Sequence, residues 1–217
     1  MTLAKKIITV MIIDDHPVVR DGYRRLLEKN QDIRVTTEAD GGEDTIALYM
    51  EYAPDVVIID INMPGMGGLE IIRRIKARDP RTRILVFSMH DGDTLVMRAL
   101  EAGATGYLSK QSGMRQMVEA VQQVAIGKRY IDATLASRLA CHQAFSSAED
   151  PLKPLSIREF QIFRMLADGR SVVEIAAILS ISPKTASTHH ANIMKKLDIH
   201  NSVQLVRLAL RCNVIES

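Results

Sequence analysis

The first 126 residues alternate between two hydrophobic rhythms. Unbroken apolar runs rich in β-branched residues occupy Ile7–Ile13, Val56–Ile59 and Ile84–Phe87, with weaker ones at Ile33–Thr37 and Thr105–Leu108. Between them the apolar positions fall three and four residues apart, over Val18–Lys29, Glu43–Tyr52, Leu69–Arg78, Thr94–Ala102 and Met114–Ile126. Leu69, Ile72 and Ile75 mark one buried helical face by that spacing. Strands without regular polar positions are buried on both sides, as in a parallel sheet covered by helices. Five strand–helix units predict a doubly wound, five-stranded parallel α/β sheet. In that architecture ligands sit beyond the C-terminal ends of the strands.

After Gly127 the alternation stops. A short helix over Ala133–Gln143 leads to Ser146-Ser147-Ala148-Glu149-Asp150-Pro151, a cluster with the composition of an interdomain linker. Beyond it the pattern is all helical. Ser156 with Glu159, and Ser171 with Glu174, fit the capping box, and Ser182-Pro183 places a cap before a first-turn proline. Four short helices follow, about 156–168, 171–179, 182–197 and 202–212. The expected organisation is therefore an α/β domain over residues 5–126, a linker over 127–152 and a small all-α domain over 153–217.

Charge sharpens this division. Across 217 residues the formal net charge is +2, but residues 151–217 alone carry nine Lys+Arg and five Asp+Glu. A mildly acidic front and a basic rear point to two tasks, the second on an anionic partner. No uncharged apolar run approaches the ~18 residues a membrane span needs. The apolar run after Lys5-Lys6 ends at Asp14-Asp15 with no small-residue cleavage site, so it reads as a buried strand rather than a signal peptide. Two cysteines, Cys141 and Cys212, without metal-type spacing suit a reducing cytoplasm. Aromatic residues make up 4% and Trp is absent, which argues against stacking on single-stranded nucleic acid.

Candidate chemistry lies at the strand ends. Asp14-Asp15 closes the first strand, Asp60 the third and Ser88 the fourth, and Lys110 follows the fifth. A lone aspartate at a strand end is most often a helix cap, but five such residues at four strand ends need more than caps. Three carboxylates in one pocket repel, so a cation is expected. An all-oxygen donor set suits Mg²⁺, which keeps waters and shares a phosphate. Lys110 offers a compact positive charge to a phosphoryl oxygen, and the Ser88 hydroxyl can bond the same group. His16, His90, His189, His190 and His200 do not cluster at ligand spacing, so no transition metal is expected.

The motifs IIDDHPVVRDG, DVVIIDINMPGMGGLEII, ILVFSMHD and ALEAGATGYLSK, in this order over residues 6–126, resemble the receiver domain of two-component response regulators. The resemblance implies a flavodoxin-like fold with Asp60 as phosphoacceptor, phosphorylated by a sensor histidine kinase. It implies Mg²⁺ held by Asp15 and Asp60, by Asp14 through water and by the Asn62 backbone carbonyl. Lys110 would neutralise the phosphoryl group, and Ser88 and Tyr107 would form the switch pair. Gln111 departs from the proline common after the family's lysine.

Helices 171–179 and 182–197, joined by a short turn, look like a helix-turn-helix, a motif whose second helix enters the DNA major groove. Its core face is Ala186, His190, Ile193 and Leu197. Opposite lie Lys184, Thr185, Ser187, Thr188, Ala191, Asn192, Lys195 and Lys196, small and polar residues with cations at both ends, suited to close approach to bases. An ordinary amphipathic surface helix has the same pattern. The stretch LSIREFQIFRMLADGRSVVEIAAILSISPKTASTHHANIMKKLDIHN resembles the LuxR-type DNA-binding domain over residues 155–217, and the whole layout resembles the NarL/FixJ class of response regulators. Departures are Val172-Val173 for Asn-Lys, Ala186-Ser187 for Val-Lys, Asp198 for Gly, and Ser202 for an arginine. Cations are thus missing at 173, 187 and 202, and each lost phosphate contact weakens DNA binding. Val172-Val173 would instead pack on another surface.

The leading reading is a cytoplasmic transcription regulator rather than an enzyme, with a sensor kinase and double-stranded DNA as partners and a homodimer as its phosphorylated form. A haloacid-dehalogenase-type phosphatase also uses a strand-end Asp and Mg²⁺, but wants Asp-x-Asp on its first strand, where Asp14-Asp15-His16 stands. A third reading makes the tail a protein-binding module. Dimer contacts are expected on the receiver helices and on the last helix, where Val203, Val206 and Leu210 recur.

Overall fold

The computed structural model describes residues 6–145 and 150–215, so the Ser146–Glu149 part of the expected linker lies outside the described residues. By backbone contacts the chain divides into two units. One takes in residues up to His90 together with Arg98–Ala133, the other Asp91–Met97 together with Thr134 onward.

In the first unit, strands β1 (Ile8–Ile13), β2 (Ile33–Ala39), β3 (Val56–Ile59), β4 (Arg83–Ser88) and β5 (Gly106–Ser109) form a parallel sheet. The strand order is β2-β1-β3-β4-β5, with a further strand, β6 (Tyr130–Ile131), beside β5. Helices α1 (Pro17–Glu28), α2 (Thr45–Tyr52), α3 (Gly68–Arg78) and α5 (Met114–Ala125) connect the strands, with α4 (Asp93–Glu101) between β4 and β5. The apolar runs are buried from both sides. Val10, Ile12, Val56, Ile58, Leu85, Phe87 and Leu108 share one core with Leu27 of α1 and with Met117, Val121 and Val124 of α5. The alternate positions Met11, Ile13, Val57 and Ile59 are buried as well, and so are Ile71, Ile72 and Ile75 of α3. The order reverses direction between β1 and β3, which places the carboxyl ends of those two strands side by side at the switch point.

The sheet has one strand more than the five expected. β6 (Tyr130–Ile131) pairs in parallel with Gly106 and Tyr107 of β5, within the stretch expected to be linker. Two residues carry no periodicity, so this strand has no signature of its own. Gly106 admits it: a Cβ there would stand 2.7 Å from the Tyr130 carbonyl oxygen. Helix α6 (Ala133–Phe145) follows directly.

The second unit holds α7 (Ile157–Ala167), α8 (Val172–Ile178), α9 (Pro183–Lys196) and α10 (Ser202–Arg211). Both capping boxes form: Ser156 and Ser171 accept from the backbone N–H of Glu159 and Glu174, whose carboxylates accept in return. Ser182 caps α9 ahead of Pro183. Phe160, Phe163, Ile175, Ile193, Leu205 and Ala209 make the core. No helix among the described residues is long and apolar enough to cross a membrane.

Helix α9 ends in a Schellman motif. The N–H of Ile199 donates to the Met194 carbonyl at 3.0 Å and that of Asp198 to Lys195 at 3.3 Å. This puts Asp198 at φ 51°, left-handed, at the negative end of the helix. An aspartate there is strained and repelled, whereas glycine would be neither. Asp198→Gly is therefore expected to stabilise the helical domain by about 1 kcal/mol. A thermal unfolding transition unmoved or lowered by the substitution would count against this.

Candidate functional site

The sheet brings Asp14, Asp60 and Lys110 into one pocket. Asp14 and Asp60 end β1 and β3 and are buried, at 2% and 6% exposure. The Lys110 ammonium, on the turn after β5, donates to Asp60 Oδ2 at 2.6 Å and to Asp14 Oδ2 at 2.9 Å. Each carboxylate's other oxygen closes a local turn, Asp14 Oδ1 accepting from the His16 N–H at 2.8 Å and Asp60 Oδ1 from that of Asn62 at 3.0 Å. Burial alone would lower the Lys110 pKa, but the bonds and charges of Asp60, then Asp14, outweigh it and raise it above the usual lysine value. The lysine is therefore a fixed cation. Close packing at Gly68 supports Asp60, since a Cβ there would meet the Asp60 carbonyl oxygen at 2.3 Å.

Near this pair are two buried oxygens that accept no hydrogen bond, Asp15 Oδ1 and Asn62 Oδ1. His16 Nδ1 lies 3.0 Å from that Asp15 oxygen without meeting hydrogen-bond geometry. Asn62 Nδ2 donates to Ser88 Oγ at 3.3 Å, so Asn62 and Ser88 face each other at the ends of β3 and β4. Ser88 Oγ also accepts from the His90 N–H at 3.4 Å. Tyr107 is fully buried and its hydroxyl donates to the His90 carbonyl. The pocket thus gathers every residue expected of it, Asp14, Asp15, Asp60, Asn62, Ser88 and Lys110, with Tyr107 joined through the β4–α4 loop. Carboxylate and amide oxygens left unsatisfied beside one lysine fit a hard, oxygen-seeking cation. Among the described residues, Asp14, Asp15 and His16 form one group close enough to hold a metal ion. His16 is thus nearer the carboxylates than the spacing of the histidines indicated.

Sequence reasoning missed Tyr23. Its ring, on α1, lies 5.7 Å from the Lys110 ammonium and packs edge-on against Phe87 at 5.0 Å. Burial raises the Tyr23 pKa against the pull of Lys110. Its partners sit on β4 and beyond β5, so no local signal marks it. Also missed was Asp132, buried just past β6 and bonded to the turn that carries Lys110.

In the second unit, Lys184, Thr185, Ser187, Thr188, Ala191, Asn192, Lys195 and Lys196 are all exposed on α9, while Ala186 and Ile193 are buried. Two contacts change what this face can do. The Thr188 hydroxyl donates to the Lys184 carbonyl at 2.9 Å, leaving its lone pairs and methyl for a partner. Lys196 Nζ donates to Glu159 Oε2 at 2.7 Å, which turns this cation toward α7. Val172 is half-buried and Val173 is 67% exposed. On α10, Leu205 and Ala209 face the core, and Val203 and Leu210 remain exposed.

A doubly wound sheet with a carboxylate–lysine pocket at its switch point, followed by a helix-turn-helix, defines a receiver coupled to a DNA-binding module. Residues 10–122 match the family model for the response regulator receiver domain, and residues 153–209 that for bacterial regulatory proteins of the luxR family. The chain is 38% identical over 211 residues to the response regulator GacA of Pseudomonas aeruginosa, covering 97% of this chain and 99% of that one. It is 40% identical over 210 residues to the response regulator UvrY of Escherichia coli, covering 95% and 96%. Among solved structures it is similar to RcsB of Salmonella enterica serovar Typhimurium bound to a promoter in the presence of a phosphomimetic. That match has 28% identity and a TM-score of 0.68, over 93% of this chain and 97% of that one. The chain belongs to the response regulators of two-component systems, in the NarL/FixJ class that joins a receiver to a LuxR-type domain. It is a DNA-binding regulator.

The Lys196–Glu159 pair has a consequence for stability. Burial pushes the Glu159 carboxyl up, but the bonds from Lys196 and Ser156 outweigh it and hold it below its usual value of 4.5. The folded-state pKa is depressed, so this stabilisation is present above pH 4.5 and is lost as pH falls through the lowered value. Because Lys196 is partly solvated, Lys196→Ala is expected to cost about 1 kcal/mol at neutral pH, and less in acid. Chemical unfolding at both pH values reads this, and an equal loss at both would contradict it.

Proposed function

We propose that this chain accepts a phosphoryl group on Asp60 from a sensor histidine kinase and uses it to control transcription through α9 on double-stranded DNA. The observation that carries the reading is the Lys110 ammonium held between Asp60 and Asp14, with two buried oxygens nearby that accept no hydrogen bond. A carboxylate oxygen of Asp60 attacks the phosphorus, the P–N bond to the kinase histidine breaks, and the electron pair stays on the imidazole nitrogen. Lys110 is placed to neutralise the incoming phosphoryl oxygens, and the Asp60 bonds to Asn62 and Lys110 orient the nucleophile. Asp15 and Asp60, with Asp14 through water and the Asn62 backbone carbonyl, would hold Mg²⁺. When bound, that ion supplies charge stabilisation for the phosphoryl oxygens. The same residues would let the receiver catalyse its own phosphorylation and dephosphorylation.

Ser88 and Tyr107 form the proposed switch. Both bond to His90, so a phosphoryl oxygen that draws the Ser88 hydroxyl also pulls on the loop that Tyr107 holds. The working division of the chain is a receiver over 5–126, a linker over 127–152 and a DNA-binding domain over 153–217.

On α9, Lys184 and Lys195 are proposed phosphate contacts at either end, with Lys196 limited by its bond to Glu159. Thr185, Ser187, Thr188, Ala191 and Asn192 form the face toward the bases, with the Thr188 methyl suited to a thymine methyl. The absence of cations at 173, 187 and 202 leaves one copy with few phosphate contacts. The phosphorylated protein therefore acts as a homodimer, with the exposed Val203 and Leu210 of α10 and the receiver helices as its contacts. The setting is the cytoplasm.

Acetyl phosphate with Mg²⁺ is expected to label the protein and to tighten its binding to genomic fragments in gel shifts. Asp60→Ala should take no label and show no tightening, and excess chelator should prevent both. Undiminished labelling of Asp60→Ala would overturn the acceptor assignment. Labelling without any effect on DNA binding would overturn the switch.

A further inference from the structure

We propose that Asp132, beyond the receiver's last helix, is a positioning residue for Lys110. The inference rests on the reading above, in which Asp60 is the phosphoacceptor and Lys110 its charge partner. Lys110 begins a single 3₁₀ turn, Lys110–Ser112, which β5 leads into and Gly113 ends at φ 91°. Inside the turn, Ser109 Oγ accepts from the Gln111 N–H at 3.2 Å. Gln111 has no ring to fix its φ, so the turn owes nothing to a local covalent restraint.

The restraint comes instead from Asp132. Its Oδ2 accepts from the Ser109 N–H at 3.4 Å and from the Ser112 hydroxyl at 3.1 Å. One carboxylate oxygen therefore grips the residue before Lys110 and the residue two after it. The register of β6 puts it there, because Tyr130 and Ile131 pair with Gly106 and Tyr107 and deliver the next residue to the end of β5. Asp132 is 5% exposed and Ser109 3%. A carboxylate so buried is costly unless its bonds are made, and two of its bonds are made to the lysine's own turn. The need is geometric. Lys110 reaches two carboxylates at once with a flexible four-carbon stem, so its anchoring backbone must be fixed for the ammonium to be fixed. Asp132 also immediately precedes α6, and a capping role there would stabilise that helix without acting on Lys110.

The test is the rate of Asp60 labelling by acetyl phosphate and Mg²⁺ in the full chain. Asp132→Ala is expected to slow labelling at saturating donor by about tenfold. Asp132→Asn keeps a side-chain oxygen that can accept both bonds, so it should return to within about twofold of the parent rate. Ser112→Ala, which removes one bond, should give a smaller loss, and adding it to Asp132→Ala should bring no further loss. If Asp132→Ala does not fold, the contrast between Asp132→Asn and Ser112→Ala decides. Labelling of Asp132→Ala at the parent rate, Asp132→Asn as slow as Asp132→Ala, independent multiplying losses, or Ser112→Ala no slower than Asp132→Asn would each overturn the proposal. Asp60→Ala runs alongside: if it still takes label, the phosphoacceptor reading has failed rather than the role of Asp132.

Discussion

One ammonium between two buried carboxylates organises the receiver half of this protein. Lys110 lies 96 residues from Asp14 and 50 from Asp60 in sequence, yet its nitrogen is within 2.9 Å of both. Two carboxylates in a low-dielectric pocket repel each other, and each pair of unit charges near 4 Å is worth about 4 kcal/mol at a protein-like dielectric. The lysine cancels that repulsion only if the ends of β1, β3 and β5 converge, which the strand order secures. Beside that paired core, Asp15 and Asn62 keep buried oxygens that accept no hydrogen bond, so the pocket is structured and still has acceptors to offer. That combination suits a site that receives a charged group rather than one that only holds the fold together.

The DNA-binding half follows a different economy of charge. Its modest positive excess is not all available to a partner, because Lys196 is drawn to Glu159 of α7. The exposed face of α9 carries small polar residues instead of a dense run of cations, with Thr188 bonded back to its own helix. A face of this kind offers close fit to a partner more than electrostatic attraction. Val203 and Leu210 of α10 stay exposed, and these are the positions proposed above as contacts with a second copy.

Much of this was legible beforehand where the physics is local. Apolar runs such as Val56–Ile59 located strands because burial on both faces leaves no polar positions, and Ser156/Glu159 located a helix start because capping is a short-range bond. The strand-end acids were legible because a doubly wound fold concentrates chemistry there. Other features escaped. β6 is two residues long and packs where Gly106 leaves room for the Tyr130 carbonyl. Tyr23 and Asp132 act on Lys110 from elements distant in the chain. Lys196 had the pattern of a DNA contact, and only the packing of α9 on α7 shows its second partner. Asp198 stood out as a departure from the family, but its left-handed backbone required the structure.

Lys110 is the resident cation of the pocket, in place before any ligand binds. A calorimetric titration of Mg²⁺ into the parent protein and into Lys110→Ala tests it most directly. With the ammonium gone, Asp14 and Asp60 lose their partner, so Mg²⁺ should bind the variant about tenfold more tightly, a difference of roughly 1.4 kcal/mol. Equal or weaker Mg²⁺ binding by a folded Lys110→Ala would contradict the account.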